Sequence, residues 1–401
     1  MSLPVSNRAA CRLLRNLVEI PSVSGDELAA SRWLAAQMRD LGYDHAEVDS
    51  ANNAVGRMGR ADAPRTVMLL GHIDTVPGHI PVELKVVGGK QVLYGRGTVD
   101  AKGPLATFTV AAANLKQTLP EDCQVVVVGA VEEEAATSKG ARCVRDRHNG
   151  RILPIPDYCL IGEPTGTTGI ARGYKGRILL RFHAWQPTAH TAGPSMEVAE
   201  LAVAFWFYVK QLVEAGGQPG SQVFEAASPS LREINTELWR NGRNHVNTLI
   251  GIRLPLGFDA LHFVQNLRRW CEQQIGPVRE PMPARIDADT SIGFACAGPI
   301  VEAQLDLSGF EPAWLTPRRN HLSTCLRGAI RRVTGGPPRF LVKTGTCDMN
   351  VVGPAWGCPV FAYGPGDSEL DHTPEEHIEI EGYLDAVRVL TDSLGTLVRM
   401  F

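Results

Sequence analysis

The sequence predicts an α/β protein: a discontinuous, doubly wound domain with a mainly parallel sheet, carrying an inserted α+β lid. Three observations predict it. Short, nearly continuous runs rich in Val, Leu and Ile recur at 66–70, 124–131 and 158–161, as strands buried on both faces do. Helical patterns separate these runs, which suits crossover connections in a layered fold. The pattern breaks off at Gly173-Tyr174-Lys175-Gly176 and resumes in the last hundred residues. The expected division is therefore a catalytic domain of 1–171 with 305–401, and a lid of 172–304.

In chain order, 26–42 reads as an amphipathic helix, with Asp26 and Glu27 in its first turn and Gly42 closing it, as helix polarity and left-handed capping favour. Strands follow at 66–70, 124–131 and 158–161, with an Ala- and Leu-rich crossover helix at 104–115. Beyond Gly176, 177–184 alternates as a strand, 196–213 is helical and 216–230 is a loop rich in Gly, Ser and Pro. A strand at 247–253, a helix at 259–273 and a strand at 284–294 complete the insertion. A helix at 318–333, a strand at 360–363 and a helix at 381–398 return to the first pattern.

Composition narrows the class of function. The 401 residues are 44% hydrophobic and 21% charged, which excludes a disordered, collagen-like or coiled-coil chain. Lys plus Arg number 40 against 43 Asp plus Glu, for a net charge of −3; a nucleic-acid binder is usually basic. No apolar run reaches the roughly 18 residues of a membrane span, and Arg8, Arg12 and Arg15 interrupt the N-terminal segment where a secretory signal would be apolar. Nine Cys without a C-x-x-C pair suit free thiols in a reducing compartment, so the expected location is the cytoplasm.

Polar residues gather where the apolar runs end, which is where open parallel sheets bind ligands. His72 and Asp74 follow the first run, Glu132, Glu133 and Glu134 the second, and Glu163 the third. His372 lies shortly after 360–363, and Asp100 precedes the crossover helix. Each has an ordinary explanation alone: a surface imidazole, an N-cap, a solvated turn. Together they deliver two imidazoles and several carboxylates to one sheet edge. Converging carboxylates repel unless a cation holds them, and a mixed nitrogen and oxygen set suits zinc or a similar divalent ion.

These residues resemble the dinuclear zinc aminoacylases and carboxypeptidases, the family of acetylornithine deacetylase and succinyl-diaminopimelate desuccinylase. Gly71-His72-Ile73-Asp74-Thr75-Val76-Pro77, Gly95-Arg96-Gly97 to Asp100-Ala101-Lys102-Gly103, the Glu triplet and Gly162-Glu163-Pro164 carry the resemblance across nearly the whole chain. Gly173 to Arg177, Asp348-Met349-Asn350 and Tyr363-Gly364-Pro365-Gly366 to Asp371-His372-Thr373-Pro374 look closest to the LysW-type hydrolases, which release lysine or ornithine from the C-terminal glutamate of a small amino-group carrier protein.

The resemblance implies that Asp100 bridges two divalent metals, most simply zinc with cobalt able to substitute. His72 and Glu163 would complete one ligand set, Glu134 and His372 the other. Asp74 would orient His72, and the Asp100–Ala101 peptide would be cis. Glu133 would be the general base, although the triplet leaves Glu132 as an alternative register. His190 would donate to the oxyanion, often from a partner subunit, which implies a homodimer formed through the lid; His183 reads as structural. Asn247, Arg253, Gly345 and Asp348 are the candidates for substrate binding, with Arg253 equally an ordinary strand residue and Asp348 equally a loop stabiliser. Cys347 reads as an incidental thiol.

The expected function is thus a metal-dependent amidohydrolase acting on an amino-group carrier protein, itself expected to be small and acidic. Two alternatives stand beside it: a small-molecule N-acyl-amino-acid deacylase or dipeptidase, and a catalytically inactive member with a binding or structural role.

Overall fold

The structure, a computed structural model, describes residues 4–188, 190, 197–215, 224–240, 242–286 and 291–400. The chain forms two compact units. One comprises Met1–Gly173, Leu315–Val342 and Cys347–Phe401; the other comprises Tyr174–Trp314 and Lys343–Thr346.

The first unit opens with helices α1 (Asn7–Glu19) and α2 (Leu28–Asp40), then strands β1 (His45–Val48), β2 (Ala54–Met58), β3 (Arg65–His72), β4 (Glu83–Val87) and β5 (Lys90–Tyr94). Helix α3 (Lys102–Asn114), β6 (Cys123–Ala130), α4 (Lys139–Arg147), β7 (Tyr158–Gly162) and β8 (Gly169–Tyr174) follow. The second unit holds β9 (Gly176–Pro187), α5 (Val198–Ala215), β10 (Ser228–Arg240), β11 (Arg243–Leu254), α6 (Ala260–Gln274), β12 (Ile292–Ala297) and β13 (Glu302–Glu311). After β14 (Trp314–Leu315), the first unit closes with α7 (His321–Thr334), β15 (Arg339–Lys343), α8 (Asp348–Trp356), β16 (Val360–Ala362), β17 (His377–Glu379) and α9 (Ile380–Leu397).

The main sheet runs β1-β2-β6-β3-β7-β16-β8-β14, with β15 beside β8. Its centre is parallel: β6, β3, β7 and β16 all run the same way, flanked by antiparallel β2 and β8. The apolar runs decide this, because β3 and β6 are buried almost end to end, which only strands covered on both faces need. Helix α3 is buried at every position; it packs between the sheet and helices α1 and α9, so it needs no polar face. Close approach is secured by small residues at the strand ends. A Cβ on Gly162 would stand 3.0 Å from the Gly71 Cα and 3.2 Å from the Phe108 ring.

The elements differ from the sequence reading at several places. Helix α2 begins at Leu28 rather than 26, because the Glu27 carboxylate accepts from the N–H groups of Gly25 and Glu132 instead of entering the first turn. The segment expected to be a loop to residue 230 enters β10 at Ser228, an edge strand whose exposed, polar residues hide its period. The strand expected at 284–294 begins only at Ile292, and β13 lies where none was expected. The 216–223 and 287–290 portions of those readings, and Met196 of the helix expected at 196–213, fall outside the described residues.

The second unit builds its own core. Its five strands pair antiparallel in the order β10-β11-β9-β13-β12, and α5 and α6 cover one face through Phe205, Val209, Val264 and Leu267. Phe182 of β9 is fully buried and stacks on Phe205 at 4.4 Å.

Candidate metal centre

Register places the site. His72 is the last residue of β3, and Gly71 lies level with both Gly129 of β6 and Gly162 of β7. Three parallel strands therefore end together, and the loops carrying His72–Asp74, Glu132–Glu134 and Glu163 leave the sheet side by side. The neighbouring β16 sends out the loop that carries His372. Asp100 arrives immediately ahead of α3, and its peptide bond to Ala101 is cis.

One set of contacts joins these loops. His72 Nε2 lies 3.1 Å from Asp100 Oδ1, and His372 Nε2 lies 3.0 Å from Asp100 Oδ2 and 2.9 Å from Glu134 Oε1. Asp100 thus faces one imidazole with each carboxylate oxygen. Ligand atoms of His72, Asp100 and Glu134 fall within 4.8 Å of one another. His72 Nδ1 is 3.0 Å from the Asp74 carbonyl; a carbonyl only accepts, so Nδ1 carries a proton there, and the ring turns Nε2 toward Asp100. The Asp74 carboxylate is 3.5 Å from the same nitrogen. His372 adopts a left-handed backbone, φ 62°, a conformation uncommon among non-glycine residues.

The Glu triplet divides. Glu132 has φ 58°, and this turn sends its carboxylate away to accept from Thr137 Oγ1 at 2.8 Å and Lys139 Nζ at 3.2 Å. Glu133 and Glu134 stay with the cluster, held by their backbone N–H groups, each 3.0 Å from an oxygen of the Asp74 carboxylate. Ser24 also donates to Asp74, at 2.7 Å.

Electrostatics reflects the crowding. Burial, then repulsion from Glu163, Asp348 and Glu134, pushes the Glu133 carboxyl far above its ordinary range, although His72 opposes this. Burial and Asp100 do the same to Glu163, with Asp371 and Asp348 adding to it. Burial also raises Glu134, against the hydrogen bond from His372. Burial would raise Asp100 too, but the hydrogen bonds from His372 and His72 outweigh it and hold its carboxyl low. His372 is pushed up to about 10 by Asp100 and Glu134. The imidazoles thus stand where a countercharge is required, and a divalent cation fits that requirement with the same nitrogen and oxygen donors.

Other expected site residues are placed as follows. Asp348 is the first residue of α8, buried, and close enough to Glu133 and Glu163 to raise both carboxyls. The buried Cys347 thiol is pushed well up by burial and by neighbouring acids, which leaves it a poor thiolate. In the second unit, Arg253 donates to Thr346 Oγ1 at 2.6 Å, next to Gly345. Asn247 accepts from Arg181 at 3.0 Å and donates to Glu233 at 2.8 Å. His183 lies in β9, its Nδ1 3.2 Å from His245 Nε2 and its ring stacked on Trp185. His190 is exposed; Ala189 and 191–196 beside it lie outside the described residues.

Two acidic residues that the sequence did not connect with the site also serve these loops. Glu27 accepts from the Glu132 N–H at 3.2 Å, and Glu376 accepts from the N–H groups of Val99 and Asp100. Neither follows an apolar run, so the pattern that exposed the others passes them by.

Among the described residues, no helix is long and apolar enough to cross a membrane. A family model described as peptidase family M20/M25/M40 matches residues 68–395. A protein of Deinococcus radiodurans named "[LysW]-lysine hydrolase" is 41% identical over 98% of both chains. A "[LysW]-lysine/[LysW]-ornithine hydrolase" of Sulfurisphaera tokodaii is 24% identical over 98% of this chain and 97% of its own. Among solved structures, the di-peptidase Dug1p of Saccharomyces cerevisiae superposes with a TM-score of 0.71 at 16% identity, covering 98% of this chain and 96% of that one; at that identity the likeness shows the fold.

Proposed function

This chain belongs to peptidase family M20/M25/M40, and from that premise we propose that it releases lysine, or ornithine, from an amino-group carrier protein by hydrolysing the amide that joins them. The single observation that carries the substrate is the 41% identity, over nearly the full length of both chains, to a protein named for that reaction. The nine cysteines are free thiols, which supports a reducing, cytoplasmic setting.

The family and the His72, Asp100 and Glu134 triad support use of a divalent metal. The finer reading is two ions, zinc by preference and cobalt as a substitute. His72, Asp100, Glu134, Glu163 and His372 would hold them, with Asp100 shared between the two ligand sets. Bound there, such ions acidify water and polarise an amide carbonyl.

The remaining steps belong to the protein. Glu133 takes a proton from the attacking water and returns it to the nitrogen of the departing amine. Its position supports this: it is buried and held by its backbone on Asp74. Asp74 keeps the His72 ring in the tautomer that offers Nε2. His190 donates to the oxyanion from a partner subunit, in a homodimer formed through the 172–304 lid. Arg253, anchored on Thr346, with Asn247 and the Gly345 backbone, receives the carboxylate of the amino acid. Asp348 faces its cationic side chain.

A substrate panel tests the reading. Metal-reconstituted enzyme is offered the lysine-loaded carrier protein, the ornithine-loaded carrier, free N-acetyl-lysine and free N-acetyl-ornithine. Turnover confined to the carrier conjugates is expected. Fast turnover of the free acyl amino acids alone would replace the carrier with a small molecule, and no turnover of any would leave the chain without this activity.

A further inference from the structure

We infer that Glu376 is a positioning residue for the metal centre, holding the backbone of Asp100 in register with His372. The inference rests on reading Asp100 and His372 as metal ligands. Glu376 is fully buried, and it ties down the 95–100 segment four times. Its Oε1 accepts from the N–H of Val99 at 2.9 Å and of Asp100 at 3.1 Å. Its Oε2 accepts from Arg96 Nη1 at 2.7 Å, and its carbonyl accepts from the Gly95 N–H at 3.3 Å. Four residues earlier lies His372, whose Nε2 meets the other end of the same Asp100 at Oδ2. The following strand, β17, then pairs with β5 through His377 and Tyr94. One side chain thus connects two loops that are remote in sequence and meet at the cluster.

A buried carboxylate is costly unless it is paired and its oxygens are satisfied. Arg96 supplies the charge and two backbone N–H groups fill the remaining oxygen. The same device occurs on the other side of the cluster, where Asp74 accepts from the N–H groups of Glu133 and Glu134. In both places an acid that takes no part in the cluster grips the main chain of an acid that does. This leaves the gripped carboxylate free to face a cation while its backbone cannot swing. Bonds to an ionised acceptor are roughly twice as strong as neutral ones, which suits Glu376 better than an amide for this task.

Metal titration of the full chain tests the inference, using zinc against a chromophoric chelator and cobalt(II) read by its visible absorption. In Glu376→Ala the affinity for the more weakly held ion is expected to fall about 10–100-fold, the range typical for partners that orient ligands. The cobalt band should shift, and kcat should drop while KM changes little. Glu376→Gln keeps an acceptor for Val99 and Asp100 but turns an amide toward Arg96, so its losses should be in the same direction and smaller. A folded variant that binds both ions as tightly as the wild type, with an unshifted cobalt spectrum, would overturn the inference whatever its thermal stability. Should Glu376→Ala fail to fold, Glu376→Gln decides by the same two readouts. Failure of the wild type to take up any ion would instead overturn the metal reading itself.

Discussion

Asp74 holds Glu133 by its backbone: Asp74 Oδ1 accepts the Glu133 N–H at 3.0 Å, while Oδ2 accepts the Glu134 N–H at the same distance. A carboxylate that also faces the His72 ring therefore sets the backbone positions of Glu133 and Glu134, the proposed base and a proposed ligand. Its own carboxyl stays below the ordinary range, since hydrogen bonds from His72 and Ser24 overcome the effect of burial.

Asp74→Asn is the sharpest test of that arrangement. The amide offers one acceptor oxygen where two N–H donors need one each, and its NH2 opposes the second donor. A buried donor left unmatched costs about 1–3 kcal/mol. The expected result is a loss of about 10–100-fold in kcat/KM, with the fold retained by circular dichroism. Unchanged kcat/KM would mean that Glu133 and Glu134 are placed by other contacts.

Glu132 and Glu133 should separate cleanly by mutation. Glu133→Ala is expected to abolish turnover while the bound metal content stays at the wild-type level. Glu132→Ala should leave turnover within about twofold, because only a half-exposed contact with Thr137 and Lys139 is removed. Steady-state kinetics with metal analysis of each variant checks both. The opposite pattern would move the general base to Glu132.

The elements legible in the sequence are those whose burial leaves a signature. β3, β6 and β7 are almost wholly apolar because both faces are covered, and His72, Asp74, Glu132, Glu133, Glu134 and Glu163 stood out because they follow such runs. Surface elements leave less. β4 is exposed at all five residues, so nothing in Glu-Leu-Lys-Val-Val marks it as a strand. β10 is an exposed edge strand reached through a Gly- and Ser-rich segment that resembles a loop. β13 does alternate, and the sequence reading passed over it. The resemblance favours Glu133 over Glu132 but leaves both registers open, since the division of the triplet depends on one left-handed residue, Glu132, and on the distant Asp74. The contacts of Glu376 and Glu27 leave no such mark: each acts on a main chain far away, and a single sequence holds no trace of that partnership.

Exhaustive chelation is expected to abolish hydrolysis, and zinc or cobalt(II) to restore it. The carboxylates of Asp100, Glu133, Glu134 and Glu163 repel one another in a buried setting, so removal of a cation should also lower stability. A ligand that binds only the folded state adds RT ln(1 + [L]/Kd), about 2.7 kcal/mol at a hundredfold excess over Kd. Thermal unfolding with and without metal should therefore show a clear fall in Tm on chelation. Full activity in a preparation shown to hold no metal would defeat this prediction.

Away from the cluster, His148 should make the protein acid-sensitive. The ring is half-buried, its Nδ1–H donates to the Pro154 carbonyl at 2.9 Å, and its edge meets Trp356 at 6.4 Å between centroids. Burial is the largest influence and pushes its pKa below the ordinary 6.5, with Arg147 acting the same way and the Pro154 carbonyl opposing. The unfolded chain then takes up the proton at a higher pH than the folded one, so folding loses stability as the solution is acidified. The contribution is complete above about pH 6.5 and declines as pH falls from there through the folded value. His148→Asn keeps a neutral N–H donor and removes the titration. Its Tm should fall less steeply than that of the wild type between about pH 7.5 and 5.5, a comparison in which every other titrating group is common to both proteins. Parallel curves would show that His148 protonates as readily in the folded protein as in the unfolded chain.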